Sequence, residues 1–192
     1  MIESAYFEIV NKENVGLAGK FSVNPSSCEN SEFYEQYLQY SALSDLRSGQ
    51  NTTHLFIDET ASRIMGYVSL RASTVISENS DGYMIGTPAI EVSVLAVDKD
   101  YAGSGVGRTL IDYVISVADD LHKKSIGMQY IVLASDKHAT GFYEHMGFVP
   151  VESRWNKIPK ENWSVNCVPM SLLLDFEKEY ITSYIDEDDE DV

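Results

Sequence analysis

The chain has 192 residues, 44% of them hydrophobic, which suits one domain of ordinary size with a sizeable core. Lys and Arg number 14 against 30 Asp and Glu, and the resulting formal charge of −16 disfavours nucleic acid and anionic membrane surfaces while favouring cationic partners. Two cysteines, Cys28 and Cys167, imply no disulfide framework, and neither a signal peptide at MIESAYFEIV nor an apolar run of about 18 residues is present, so the reading is cytoplasmic with no membrane span.

In chain order, Tyr6 to Val10 alternates as a first strand, and Phe33, Tyr37, Leu38, Ala42 and Leu46 give Ser31 to Arg47 a helical stripe. THLFID (53–58) and IMGYVSLRA (64–72) are rich in β-branched and aromatic residues and predict a hairpin across ETASR. Ser, Asn, Asp and Gly crowd Ser77 to Gly86, a predicted surface loop. AIEVSVLAV (89–97) is an apolar strand, followed by a helix from Val106 whose stripe of Leu110, Ile111, Val114, Ile115, Ala118 and Leu121 ends at Gly127 as an expected left-handed cap. MQYIVLA (128–134) predicts a further strand, Ala139 to Met146 a short helix stopped by Gly147, and CVPMSLLL (167–174) a last strand. Phe176, Tyr180, Ile181, Tyr184 and Ile185 suggest a closing amphipathic helix, whose apolar stripe would suit a homodimer. Residues 1–185 are read as one domain and 186–192, which include DEDDED, as a disordered acidic tail. Strands and helices interleave, so the class is α/β with a mixed sheet.

Gly103, Gly105 and Gly107 stand between a strand and a helix, where glycine permits positive φ and close approach of a ligand to the main chain. The first amides of a helix lack partners and favour an anion, most often phosphate. A dinucleotide turn needs a third glycine at position 108, which is Arg108, and a P-loop needs a lysine that GVGRTL does not supply. The remaining candidate is a pyrophosphate turn, and here the chain resembles the GNAT superfamily of acetyl-CoA-dependent N-acyltransferases. Ala102-Gly103-Ser104-Gly105-Val106-Gly107 matches the family's Gln/Arg-x-x-Gly-x-Gly/Ala, and Ala139 to Phe148 (ATGFYEHMGF) matches its A-x-x-F-Y-x-x-x-G-F. Two departures stand out: Ala102 replaces the first Gln or Arg, and Asp136 stands where many relatives have asparagine.

The resemblance implies a single-domain GNAT fold, a mixed, mostly antiparallel central sheet flanked by helices, with splayed strands at the acetyl-CoA site. It implies that the main chain of Leu95, Ala96 and Val97 pairs with the pantetheine arm. The amides from Gly103 through Ser104, Gly105, Val106 and Gly107 to Arg108 would carry the pyrophosphate, with Arg108 as an auxiliary cation and Asp136 and Ala139 nearby. Tyr143, the tyrosine of the Phe-Tyr pair, would protonate the leaving thiolate. Glu91, six residues before Val97, is in the position of the general base of histone-type members, and strand alternation puts it on the face of Ser93, Leu95 and Val97. The expected activity is transfer of an acetyl group from acetyl-CoA to a primary amine of a small molecule or protein, through a tetrahedral intermediate. Alternatives are a GNAT-type toxin acetylating aminoacyl-tRNA, which the charge speaks against, and a silent acyl-CoA-binding module, which Ala102 keeps open. His54, His122, His138 and His145 have no metal-ligand spacing, so no metal is expected, and Trp155 and Trp163 are read as loop anchors.

Overall fold

The computed structural model describes residues 4–26, 30–151 and 167–176. Cys28, both tryptophans, the closing helix beyond Phe176 and the acidic tail lie outside them. Seven strands form one sheet in the order β1-β2-β3-β4-β5-β7-β6. These are β1 (Ala5–Ile9), β2 (Thr52–Asp58), β3 (Arg63–Glu78), β4 (Met84–Val97), β5 (Tyr130–Asp136), β6 (Val149–Pro150) and β7 (Cys167–Leu173). Among the described residues only β4 and β5 run parallel, because a 19-residue helix, α3 (Val106–Lys124), carries the chain back between them. All other pairings are antiparallel, as the resemblance implied.

The sheet has a core on each face. Leu110, Ile111, Val114 and Ala118 of α3 lie one to two turns apart and are fully buried, packing on Val68, Ile90, Val92, Ile131 and Leu133 with help from α4 (Thr140–His145). The other face is covered by a 3-10 turn (Val15–Lys20), α1 (Ser31–Gln36), a π-helical turn (Tyr37–Ser41) and α2 (Ala42–Ser48). Leu38 and Ala42 meet Leu55, Ile57, Tyr67, Val94 and Ala96 there. Burying both faces of one sheet makes β2 and the first half of β3 nearly continuous apolar runs.

Two expected boundaries move. The loop expected from Ser77 to Gly86 contracts to the turn between Glu78 and Met84, because Asn79 Oδ1 accepts from the amides of Asp81 (3.0 Å) and Tyr83 (2.8 Å) and closes a tight hairpin. The left-handed cap expected at Gly127 does not form: the amides of Ser125 and Ile126 both return to the Leu121 carbonyl (2.9 and 2.8 Å), so α3 is closed before the glycine. Gly147, in contrast, does take positive φ (+89°) after α4. No helix among the described residues is long and apolar enough to cross a membrane.

Candidate active site

The site originates at one irregularity. In the β3–β4 ladder Ser69 pairs with Val94 and Leu70 with Val92, so Ser93 is an extra residue on β4, a β-bulge. At the same level the parallel pairing to β5 stops, its last pair being Val92 and Leu133. Beyond it, Leu95, Ala96 and Val97 remain bonded to β3 on one edge and line an open cleft on the other. These are the splayed strands implied by the resemblance. The cleft widens into a cavity of about 910 Å³.

After β4, Asp98 locks the chain into the turn that follows. Its buried carboxylate accepts from the amides of Ser22 and Asp100 (both 3.0 Å) and from Arg63 (3.2 Å). Gly66 on β3 then allows α3 to start close to the sheet. A Cβ at that position would stand 2.9 Å from Val106 Cγ1 and 3.0 Å from the Ala96 carbonyl.

Gly103 (φ +75°) and Gly105 (φ +92°) turn the loop in a conformation that side-chain-bearing residues rarely adopt. Gly107 is helical, and a Cβ there would make ordinary contacts with Phe142 (3.5 Å) and Val97 (3.7 Å), which fits the Gly/Ala tolerance of the motif. Within the described residues no hydrogen bond uses the amides of Gly103, Gly105, Val106, Gly107 or Arg108. Ser104 differs from expectation: its amide is committed to the Tyr101 carbonyl (3.2 Å). Five unclaimed donors at the start of a long helix suit a diphosphate even though Ala102 lends no side chain. Arg108, three-quarters exposed, lines the cavity as the first cation of the helix and pairs with Asp112 at 3.6 Å, one turn further along α3.

Across the cleft, β5 ends at Asp136. Its Oδ1 accepts the His138 amide (2.9 Å) and its carbonyl the Ala139 amide (2.9 Å), so the residue shapes the turn into α4. Tyr143, on α4, is buried edge-to-face between Phe142 and Phe148 (5.0 and 5.7 Å between centroids) and lines the cavity with Ala139. Burial, reinforced by Tyr34, pushes its phenol well above the ordinary tyrosine range, so it holds its proton.

Glu91 requires a correction. The bulge shifts the alternation by one residue, so Ile90 and Val92 share the α3 face with Leu95 and Val97, whereas Val94 and Ala96 lie on the opposite face. Glu91 therefore lies on the α1–α2 face and not with Leu95 and Val97. Its carboxylate pairs with Arg71 at 2.5 Å and is absent from the cavity lining. Among the described residues no His, Cys, Asp and Glu cluster could hold a metal ion.

Sequence reasoning missed the remainder of the wall. Val23, Asn24, Asn30, Phe33 and Tyr34 close one side, with Lys99 and Cys167 at the edges. Nothing in the local pattern marks them, because they come from elements distant in sequence. Phe33, which the sequence puts in the apolar stripe of its helix, is 54% exposed on this wall.

A family model described as an acetyltransferase (GNAT) domain matches residues 21–174. The [ribosomal protein bS18]-alanine N-acetyltransferase of Escherichia coli (strain K12) is 33% identical over 79 residues, 41% of this chain and 51% of that protein. The chain thus spans about half the length of that curated relative. Among solved structures, AtaTR bound with acetyl-CoA superposes with a TM-score of 0.64 at 19% identity, covering 89% of this chain and 94% of the other. AtaT complexed with acetyl-methionyl-tRNAfMet does so with a TM-score of 0.66 at 17% identity, covering 86% and 94%.

Proposed function

The chain belongs to the GNAT acetyltransferase family, and from that premise we propose that it transfers the acetyl group of acetyl-CoA directly to a primary amine of a small-molecule or protein acceptor. One observation carries the reading. The open edge of Leu95, Ala96 and Val97, the residues Gly103, Gly105, Gly107 and Arg108 with their unclaimed amides, and the protonated Tyr143 all border one cavity. Bound there, acetyl-CoA supplies an acyl group already activated as a thioester.

The chain's own groups have distinct tasks. The amides of Gly103, Gly105, Val106, Gly107 and Arg108 hold the diphosphate, and the free β4 edge orients the arm beyond it. Tyr143 delivers a proton to the sulfur as it leaves, which traps it as the free thiol and prevents its return to the carbonyl. Asp136 and Ala139 form the turn that sets the height of α4. Glu91, tied to Arg71 away from the cavity, is given no part in the proton path: the neutral fraction of the amine attacks the thioester, and the proton its nitrogen loses restores the phenol of Tyr143 after that group has protonated the sulfur.

Release of free thiol, followed across a panel of amines at fixed ionic strength, tests this reading. Acetyl-amine product with at least one acceptor is expected. Coenzyme A binding with no turnover on any amine would instead favour a silent binding module.

A second reading is favoured by a specific pair of observations. The fold resembles that of AtaT, solved with acetyl-methionyl-tRNAfMet, and among the described residues that line the cavity the charged ones are Lys99, Arg108 and Asp136. That local balance opposes the −16 of the whole chain. An aminoacyl-tRNA acceptor would show up as acetylation that collapses with modest added salt.

A further inference from the structure

Building on the acetyl-transfer reading, we propose that Asn51 is a positioning residue: it holds the Ser93 bulge where β4 parts from β5 and ties that point to the helices carrying the acceptor wall. The contact chain is continuous. Helix α2 ends at Gly49 in the left-handed conformation (φ +71°), and the turn brings Asn51 back to Asp45 on the same helix. Asn51 Nδ2 donates to Asp45 Oδ2 at 2.8 Å, and the same oxygen accepts the Tyr37 hydroxyl at 3.1 Å. A carboxylate can only accept, so this pairing fixes the amide's orientation and aims Oδ1 away from Asp45. Ser93 Oγ donates to that Oδ1 at 2.8 Å and lies 3.1 Å from the Ser69 carbonyl.

A bulge needs such a clamp. The apolar pattern already defends the register on either side, since slipping Ser93 into line would exchange the faces of Val94 and Leu95. It does not fix the position of the extra residue itself, which has no partner in the ladder. Ser93 directly follows the last residue paired to β5, so a shift there moves Leu95, Ala96 and Val97 together. At the other end of the contact chain, Tyr37 opens the π-helical turn that follows Phe33 and Tyr34, both on the cavity wall. π-turns inside helices are frequent at functional sites, and this one places its tyrosine on the clamp. The acceptor wall and the cofactor strand thus share one hydrogen-bonded connection.

The test compares wild type, Asn51→Ala, Ser93→Ala, the double variant and Ser93→Thr by coenzyme A calorimetry, steady-state thiol release and thermal unfolding. Asn51→Ala and Ser93→Ala are each expected to raise the Kd for coenzyme A and the KM for acetyl-CoA about five- to tenfold, with kcat within about twofold. The double variant should be no worse than either single one, because both act through one contact. Ser93→Thr, which keeps the hydroxyl, should restore affinity. A lowered Tm with unchanged coenzyme A affinity in both single variants would reduce the contact to a purely structural one and overturn the proposal. Should Asn51→Ala fail to fold, Ser93→Ala, which removes only a hydroxyl, carries the same expectation. A wild-type chain that binds no coenzyme A overturns the acetyl-transfer reading along with this inference, whereas normal binding in every variant overturns this inference alone.

Discussion

Tyr143 and His54 are both rings whose burial favours the neutral form, and that shared physics has opposite consequences for function and stability. For Tyr143 the raised pKa keeps the acid form through neutral and mildly alkaline pH, as a proton donor requires. Tyr143→Phe removes the hydroxyl but keeps the packing against Phe142 and Phe148. We expect kcat to fall about a hundredfold while coenzyme A affinity stays within about threefold, read by thiol release and calorimetry. Glu91→Gln, by contrast, should change kcat less than about threefold, and its lost pairing with half-exposed Arg71 should cost under about 1 kcal/mol. His54 is buried on β2 with Nδ1 2.8 Å from the Tyr113 hydroxyl, and burial lowers its pKa from 6.5 to about 4. The folded state therefore binds the proton more weakly than the unfolded chain, so stability is intact above about pH 6.5 and declines as pH falls toward 4. Over that window the linkage is worth roughly 3 kcal/mol. His54→Asn, which keeps an acceptor for Tyr113 without a titrating group, should flatten this acid limb in urea melts taken at successive pH values.

At the scale of elements, the sequence displayed what periodicity and glycine can display. The stripe of α3, the strand AIEVSVLAV and the two signature motifs were legible because each is a local pattern in consecutive residues. The bulge was not, since Glu91, Ser93, Leu95 and Val97 read as one face of an unbroken alternation; only the ladder to β3 reveals that Ser93 is extra. The cavity wall formed by Val23, Phe33 and Cys167 was invisible for another reason: these residues meet only through long-range packing. Gly66 is a further case, indistinguishable in sequence from a weak spot in a strand yet required by the approach of α3. Gly66→Ala should press on Val106 and the Ala96 carbonyl, push the first turn of α3 outward and lower stability by about 1–3 kcal/mol. Because the same turn carries the anion-binding amides, coenzyme A affinity should fall with it. Gly105→Ala differs: no atom lies within 4 Å of its Cβ, so the cost is the strained φ of +92°, about 1–2 kcal/mol. Thermal melts and calorimetry on the two variants would separate crowding from strain.

At the scale of the molecule, the −16 charge and the locally basic cavity wall impose electrostatics of opposite sign on different ligands. A polyanionic cofactor approaches against the field of the whole chain and gains from Lys99 and Arg108 only within the cleft. A cationic amine is drawn in from a distance. Added salt screens both effects, with a Debye length falling from about 30 Å at 0.01 M to about 10 Å at 0.1 M. The long-range repulsion of coenzyme A is screened first, because Lys99 and Arg108 act at contact distance. Raising ionic strength across that range should therefore lower the KM for acetyl-CoA, by roughly two- to fivefold. With a dicationic amine the acceptor kcat/KM should fall by a similar factor, while with a neutral acceptor it should stay flat, since no charge steers it. An aminoacyl-tRNA acceptor would behave differently again, losing affinity steeply because each phosphate contact releases counterions. Initial rates at two ionic strengths with one neutral and one dicationic amine decide the matter. A KM for acetyl-CoA that rises with salt would mean that the basic wall, and not the acidic surface, governs how the cofactor arrives.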